Sequence, residues 1–273
     1  MPLRSKQLDR VDQLAELVRA HPPLVVLTGA GISQESGIPT FRGPDPPSPG
    51  ETPRDSTESG IPDFRSPTGI WARYDPMDYA TIDAFLADPE KVWDFYGMRL
   101  NVLQEAEPNA GHRALAELED RGWVRAVITQ NIDRLHERAG SRALVEVHGS
   151  IRTASCLDCG NVVEFEHVVR LLPVPRCPAC GRVLKPDVVM FGELLPAAEI
   201  MRAEQLAREA GLMLVVGSSL EVYPVAGLPL QTLANGGVLA IVNRGSTPLD
   251  GRASVVIDGG AGETLAALAE RLE

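Results

Sequence analysis

The sequence predicts an α/β protein: a doubly wound parallel sheet with a smaller inserted module. Three observations lead there. Short apolar, β-branched runs alternate with amphipathic segments along most of the chain. Each run stops at small or polar residues, as strands do at a ligand-facing sheet edge. Between the third and fourth of these runs lie four cysteines in two C-x2-C pairs.

Taken in order, residues 7–20 put Leu8, Val11, Leu14, Ala15 and Val18 on one helical face, and His21-Pro22-Pro23 stops that helix. Leu24-Val25-Val26-Leu27 is too short for a core helix and reads as a buried parallel strand. Thr28-Gly29-Ala30-Gly31 then turns the chain. Small residues there let backbone N–H groups approach a ligand closely, as at the start of a dinucleotide site. The G-x-G-x-x-G fingerprint is incomplete, because its third glycine position is Gln34. Residues 43–59 hold five prolines in 17 and predict an exposed loop. Ser33–Pro44 and Ser56–Pro67 agree at nine of twelve positions at an offset of 23, a local duplication with too few units for a solenoid.

Residues 70–106 are helical and aromatic, and Trp71, Tyr74, Phe85, Trp93, Phe95 and Tyr96 are mostly expected in a core. Asn109–Arg121 reads as a helix ended near Gly122. Val124–Ile128 is a second strand, running into Thr129-Gln130-Asn131-Ile132-Asp133, and a helix follows from Leu135 to Gly140. Leu144–Val147 is a third strand, ending at His148-Gly149. Beyond the cysteines come Val188–Glu193 and a helix around 197–210. Strand Leu212–Val216 ends in Gly217-Ser218-Ser219, and strand Val238–Val242 ends in Asn243-Arg244. Val255–Ile257 precedes a C-terminal helix. Five polar strand ends are therefore expected along one edge. The sheet domain comprises 1–43, 107–150 and 187–273; 44–106 forms a loop and helical module, and 151–186 a metal-binding module.

The net charge of −11 makes the chain a poor generic binder of nucleic acid or membrane phosphate and better suited to basic protein segments. No direct sequence-specific nucleic-acid binding is expected. No apolar run approaches the ~20 residues of a membrane span, and the first residues lack a signal-peptide core. A cytoplasmic location is expected. Three lysines stand against 23 arginines, a bias with no functional account. The cysteines, Cys156, Cys159, Cys177 and Cys180, have 17 residues between the pairs. Two such knuckles make a tetrahedral S4 site for one Zn2+, and four protein ligands leave no open position, so the zinc is structural.

At this point the chain resembles the sirtuins, NAD-dependent protein-lysine deacylases. The matching strings are GAGIS (29–33), SGIPTFR (36–42), TQNID (129–133), HG (148–149), the four cysteines, VVMFGE (188–193), GSS (217–219) and N-R (243–244), in family order over nearly the whole chain. The resemblance implies a Rossmann-like large domain, a zinc module with helical insertions, and a cleft between them. It implies NAD as co-substrate and acyl-lysine proteins or peptides as partners, with nicotinamide and O-acyl-ADP-ribose as products. His148 is the implied base, since a neutral imidazole suits that role near pH 7, and Asn131 is implied beside it.

Cofactor contacts are implied for Gly29, Ala30, Gly31, Phe41, Arg42, Gln130, Asn131, Ile132, Asp133, Gly217, Ser218, Ser219, Asn243, Arg244 and Ala261. Phe41 would shield the reactive centre and Arg42 pair with phosphate or ribose. Val189, Met190 and Phe191 would pair with the substrate peptide in β-fashion. Tyr96-Gly97-Met98-Arg99 resembles the Y-x-x-R of sirtuins that remove succinyl or malonyl groups, in which Arg99 would hold a carboxylate and Tyr96 donate to it. Thr40 leans the same way and Asp63 against it. The duplication departs from the family: Phe41-Arg42 is expected in the cofactor site, with Phe64-Arg65 as rival. The alternative function is an ADP-ribosyltransferase or NAD hydrolase using the same site.

Overall fold

The computed structural model describes residues 4–38 and 75–273. The Pro-rich segment, Thr40, Asp63, Phe41-Arg42, Phe64-Arg65, Trp71 and Tyr74 lie outside that range, as does the side chain of Arg99.

The strands are β1 (Leu24–Thr28), β2 (Val124–Thr129), β3 (Leu144–Glu146), β4 (Gly149–Ser155), β5 (Val162–Glu164), β6 (Lys185–Val188), β7 (Leu212–Val216), β8 (Val238–Asn243) and β9 (Val255–Asp258). The helices are α1 (Ser5–Ala20), α2 (Pro76–Tyr79), α3 (Ile82–Ala87), α4 (Pro89–Glu105), α5 (Ala110–Asp120), α6 (Leu135–Ala139), α7 (Phe165–Arg170), α8 (Ala197–Glu209), α9 (Leu228–Ala234) and α10 (Ala261–Arg271). Within the described residues the expected strands and helices are present. The sequence reading had not resolved β4 to β6 as a sheet, nor α7 and α9.

The main sheet has the order β3-β2-β1-β7-β8-β9 with every neighbouring pair parallel. The chain leaves β1 toward β2 on one side and later returns to β7 on the other. The order thus reverses between β1 and β7, where such sheets open a crevice for ligands. The period of two explains the unbroken apolar runs. Leu24 and Val26 of β1 face a core with α1, α5 and α10, and Val25 and Leu27 face a second core with α8 and α9.

Two insertions build the smaller unit. One, after β1, carries α2, α3 and α4; the other, after β3, carries the antiparallel sheet β5-β4-β6 and α7. They share one core, in which Phe85, Trp93, Phe95 and Tyr96 pack with Ala154, Cys156, Phe165, Cys177, Leu184 and Met190. The Trp93 indole N–H donates to the Leu184 carbonyl at 2.6 Å, which locks the two insertions together. None of the described helices is long and apolar enough to cross a membrane.

Candidate active site

The site starts at the reversal point. Gly29 N–H donates to the Val216 carbonyl at 3.0 Å and Gly31 N–H to the Gly217 carbonyl at 2.8 Å. A Cβ at Gly31 would lie 2.6 Å from Gly217 Cα, and one at Gly217, where φ is +61°, would lie 2.4 Å from the Ile32 nitrogen. The glycines are there because two strand ends pass backbone to backbone. A 3₁₀ helix, Ala30–Ser36, follows in place of the long helix that a third fingerprint glycine would pack, and Gly37 ends it at φ +81°. The backbone N–H groups of Ala30, Ser218 and Ser219 take no hydrogen bond within the described residues. Three donors at this edge fit the diphosphate of NAD.

The end of β2 ties the site together. Gln130 donates from Nε2 to Ser218 Oγ at 2.9 Å, linking β2 to β7. Asn131 is buried and its Nδ2 donates to the Gly29 carbonyl (3.2 Å) and to Ser33 Oγ (3.1 Å). Asp133 is buried too; Oδ2 accepts from Ser33 Oγ at 2.7 Å and Oδ1 from Leu135 N–H, the first of α6, at 2.9 Å. Burial raises its pKa above the ordinary carboxylate value, against the bonds it accepts from Leu135 and Ser33. Ile132 is half-buried against the small core.

Ser33 has a partner that sequence reasoning passed over. His112 Nδ1 accepts from Asn109 N–H at 3.3 Å, which leaves Nε2 as the protonated nitrogen facing Ser33 Oγ at 3.3 Å. Burial lowers the His112 pKa to about 4, so the ring is neutral. His136, packed on His112 with ring centroids 4.8 Å apart, bonds through Nε2 to Thr28 Oγ1 at 2.9 Å and is likewise held neutral by burial.

His148 sits between β3 and β4. Its Nδ1 lies 3.0 Å from the Gln130 carbonyl, which only accepts, so Nδ1 carries the proton and Nε2 keeps its lone pair. Burial lowers the pKa, opposed by that bond, and the ring is a neutral base at pH 7. The His148 carbonyl accepts from Val189 N–H at 2.8 Å, which ties the start of the Val189–Phe191 segment to the His148 backbone. Phe191 is half exposed, but its backbone is engaged internally: its N–H donates to Ala80 and its carbonyl accepts from Ile82, at 2.9 and 3.0 Å. Met190 is buried, and its N–H donates to Glu193. The backbone N–H groups of Gly192 and Leu194, one and three residues on from Phe191, take no bond within the described residues.

At the far end, Asn243 Nδ2 donates to the Gly245 carbonyl at 3.0 Å. The N-terminus of α10 begins at Ala261, and Gly262 N–H donates to Glu35 at 3.1 Å. A polar cavity of about 560 Å³, lined by Glu35, Asn109, Arg113, Arg244 and Glu263 among others, opens here, and His148 does not line it. Ser219 bonds within its own loop, to Glu221 at 3.3 Å. Tyr96 is buried in the small core, its ring edge-on to Phe95 (5.7 Å) and Trp93 (6.4 Å).

The four cysteines converge as their spacing predicts, with all Sγ atoms within 4.8 Å of one another. Cys156–Cys180 and Cys159–Cys177 are 3.4 and 3.6 Å apart. A tetrahedron with ~2.3 Å metal–sulfur bonds has edges of ~3.8 Å, so the set fits zinc and excludes a disulfide at about 2.05 Å. The knuckles are copies. Gly160 N–H returns to Cys156 and Gly181 N–H to Cys177, at 2.9 and 2.8 Å, with both glycines at positive φ (+72° and +77°).

Comparison with known proteins agrees with this geometry. The Sir2 family profile matches residues 55–224, a span that takes in the second SGIPxFR copy. The NAD-dependent protein deacylase 1 of Archaeoglobus fulgidus is 41% identical over 254 residues, covering 93% of this chain and 94% of that protein. The NAD-dependent protein deacylase of Thermus thermophilus is 42% identical over 265 residues, covering 96% and 94%. A solved Sir2 homologue in complex with ADP-ribose superposes with a TM-score of 0.83 at 40% identity over 96% of each chain. A Sir2 enzyme bound to a propionylated peptide gives 0.79 at 36% identity, over 95% and 97%. With its Rossmann-like sheet, its clustered cysteines and these relatives along nearly its full length, the chain belongs to the Sir2 family, the sirtuins.

Proposed function

We propose that this protein removes acyl groups from protein lysines, consuming NAD and releasing nicotinamide and O-acyl-ADP-ribose. When bound, NAD supplies a glycosidic bond whose breakage offers a ribose carbon to the acyl oxygen. The chain's own residues bind, orient and move a proton. His148 Nε2 takes the proton of a ribose hydroxyl, while Gln130 holds the ring through Nδ1. Asn131, fixed by Gly29 and Ser33, orients the nicotinamide ribose. The N–H groups of Ala30, Ser218 and Ser219, without a partner among the described residues, receive the diphosphate, and Asn243, Arg244 and Ala261 the adenosine half. The observation that carries the reading is His148: a neutral imidazole at the sheet's ligand edge with its outer nitrogen basic. The peptide docks along Val189–Leu194, where the backbone N–H groups of Gly192 and Leu194 take no partner among the described residues.

The test is nicotinamide release with and without an acetyl-lysine peptide. Release that needs the peptide supports deacylation; equal release without it favours the NAD hydrolase reading. Four thiolates need a reducing compartment, which supports the cytoplasm.

For the acyl group we propose that Tyr96 and Arg99 admit succinyl and malonyl chains. The burial of Tyr96 leaves its role to be decided by a panel of acetyl-, malonyl- and succinyl-peptides. If Tyr96→Phe with Arg99→Met keeps succinyl activity, the carboxylate clamp is wrong. Phe41-Arg42 is proposed as the copy that closes over NAD. Loss of NAD affinity in Arg65→Ala but not Arg42→Ala would reverse that choice.

A further inference from the structure

Lys185 is the one lysine among the described residues whose side chain is buried, with 8% of it exposed. Its ammonium has three N–H donors and three acceptors: the Pro186 carbonyl at 3.1 Å, the Val188 carbonyl at 2.9 Å and the Glu193 carboxylate at 2.9 Å. All three belong to the chain that follows it. The same carboxylate accepts from Met190 N–H at 2.8 Å, and Glu193 N–H donates back to the Met190 carbonyl at 3.0 Å. One charge therefore closes the segment from β6 to Glu193 into a ring, turned at Gly192, where φ is +89°.

That ring lies against the catalytic side of the molecule. Val188 pairs with Gly149, and Val189 N–H donates to the His148 carbonyl. Its outer edge is unfinished. Phe191 is 51% and Leu194 94% exposed, and the N–H groups of Gly192 and Leu194 are unpaired within the described residues. An ion pair this enclosed contributes little net stability, because desolvation offsets most of the attraction. Its effect is geometric.

We infer that Lys185 is a positioning residue for the acyl-peptide: through Glu193 and the Val188 carbonyl it holds the 189–194 edge at a fixed offset from His148. The inference rests on the deacylase reading. It assigns Lys185 to the peptide side alone, since none of its bonds reaches the residues proposed for NAD.

The experiment compares wild type with Lys185→Met and Glu193→Leu. The readouts are peptide KM and kcat, calorimetric affinity for an acetyl-peptide, NAD affinity without peptide, and Tm. Lys185→Met takes the donor from two carbonyls and the counter-charge from the Glu193 carboxylate, which keeps the Met190 N–H, and is expected to weaken peptide binding about tenfold, with NAD affinity changed less than about twofold. Glu193→Leu cuts the tether at its exposed end and leaves the β6 bonds in place, so it keeps the test alive if Lys185→Met fails to fold. It is expected to weaken peptide binding about fivefold. A fall in Tm with unchanged peptide affinity, or equal losses for peptide and NAD, would overturn the inference. Wild-type enzyme without peptide-dependent nicotinamide release would instead overturn the deacylase reading.

Discussion

In the large sheet, Leu24, Val26, Leu212 and Leu214 face one apolar core while Val25, Leu27, Met213 and Val215 face another, each closed by helices of the same chain. In the smaller unit the core of Phe85, Trp93 and Phe95 runs into Cys156 and Cys177, two of four thiols gathered at one point. The first region is finished by apolar burial. The second gathers four thiols that fit a metal, and its 185–193 segment is closed by the Lys185–Glu193 pair. The side proposed for the cofactor is thus built by packing and the side proposed for the peptide by coordination and charge, so the two should fail separately.

Removing zinc should have the largest effect. Structural zinc is worth on the order of 10–16 kcal/mol in small sites, more than a unit of this size has to spare. Chelation, or Cys159→Ser, should abolish deacylation and red-shift the fluorescence of Trp93, while NAD binding weakens far less. Full activity in metal-free protein would break the contrast. Next, His148→Ala should lower kcat by about 10²–10⁴-fold, the usual weight of a general base, with NAD affinity within about twofold. A variant with near-normal kcat would remove His148 from the chemistry.

Gly31→Ala acts on the packed side. Its Cβ meets Gly217 backbone at 2.6 Å, and neither partner is a flexible side chain. Overpacking of about 1–3 kcal/mol should appear as roughly tenfold or more in NAD affinity, with little change at the zinc. The smallest effect is on pH. A histidine whose folded pKa lies below its unfolded 6.5 leaves the unfolded chain holding more protons, so stability falls as pH drops below 6.5. For His112 the loss is complete near pH 4 and of the order of 3 kcal/mol. His136 adds to it in the same direction. Urea melts between pH 7 and 4 should show this decline, and kcat/KM should keep its acid limb below 6.5 because burial lowers the His148 pKa. Asp133, whose pKa burial raises, works in the opposite direction, so the check is the difference between wild type and His112→Gln: the same pH slope in both would contradict neutral burial of His112.

The sheet was legible because strands buried on both faces leave unbroken apolar runs, as Leu24–Leu27 does. The cysteines were legible because their spacing is their geometry. Helix α9 was not, since Pro229 reads as a breaker and is tolerated only in the first turn. Strand β5 has three residues, with Val162 outward and Val163 inward, too few to show a period. Ser33 and His112 meet across 79 residues of chain, and a histidine on an amphipathic helix looks like ordinary packing. Phe191 was named for peptide pairing, yet its backbone already serves Ala80 and Ile82, a use that no local pattern could announce.

The most direct measurement is product analysis with an acetyl-lysine peptide, NAD and the wild-type protein beside His148→Ala. Equal amounts of nicotinamide, deacetylated peptide and O-acetyl-ADP-ribose from wild type, and almost none from the variant, are predicted. Nicotinamide and ADP-ribose formed without consumption of the peptide, at the same rate in both proteins, would contradict the account.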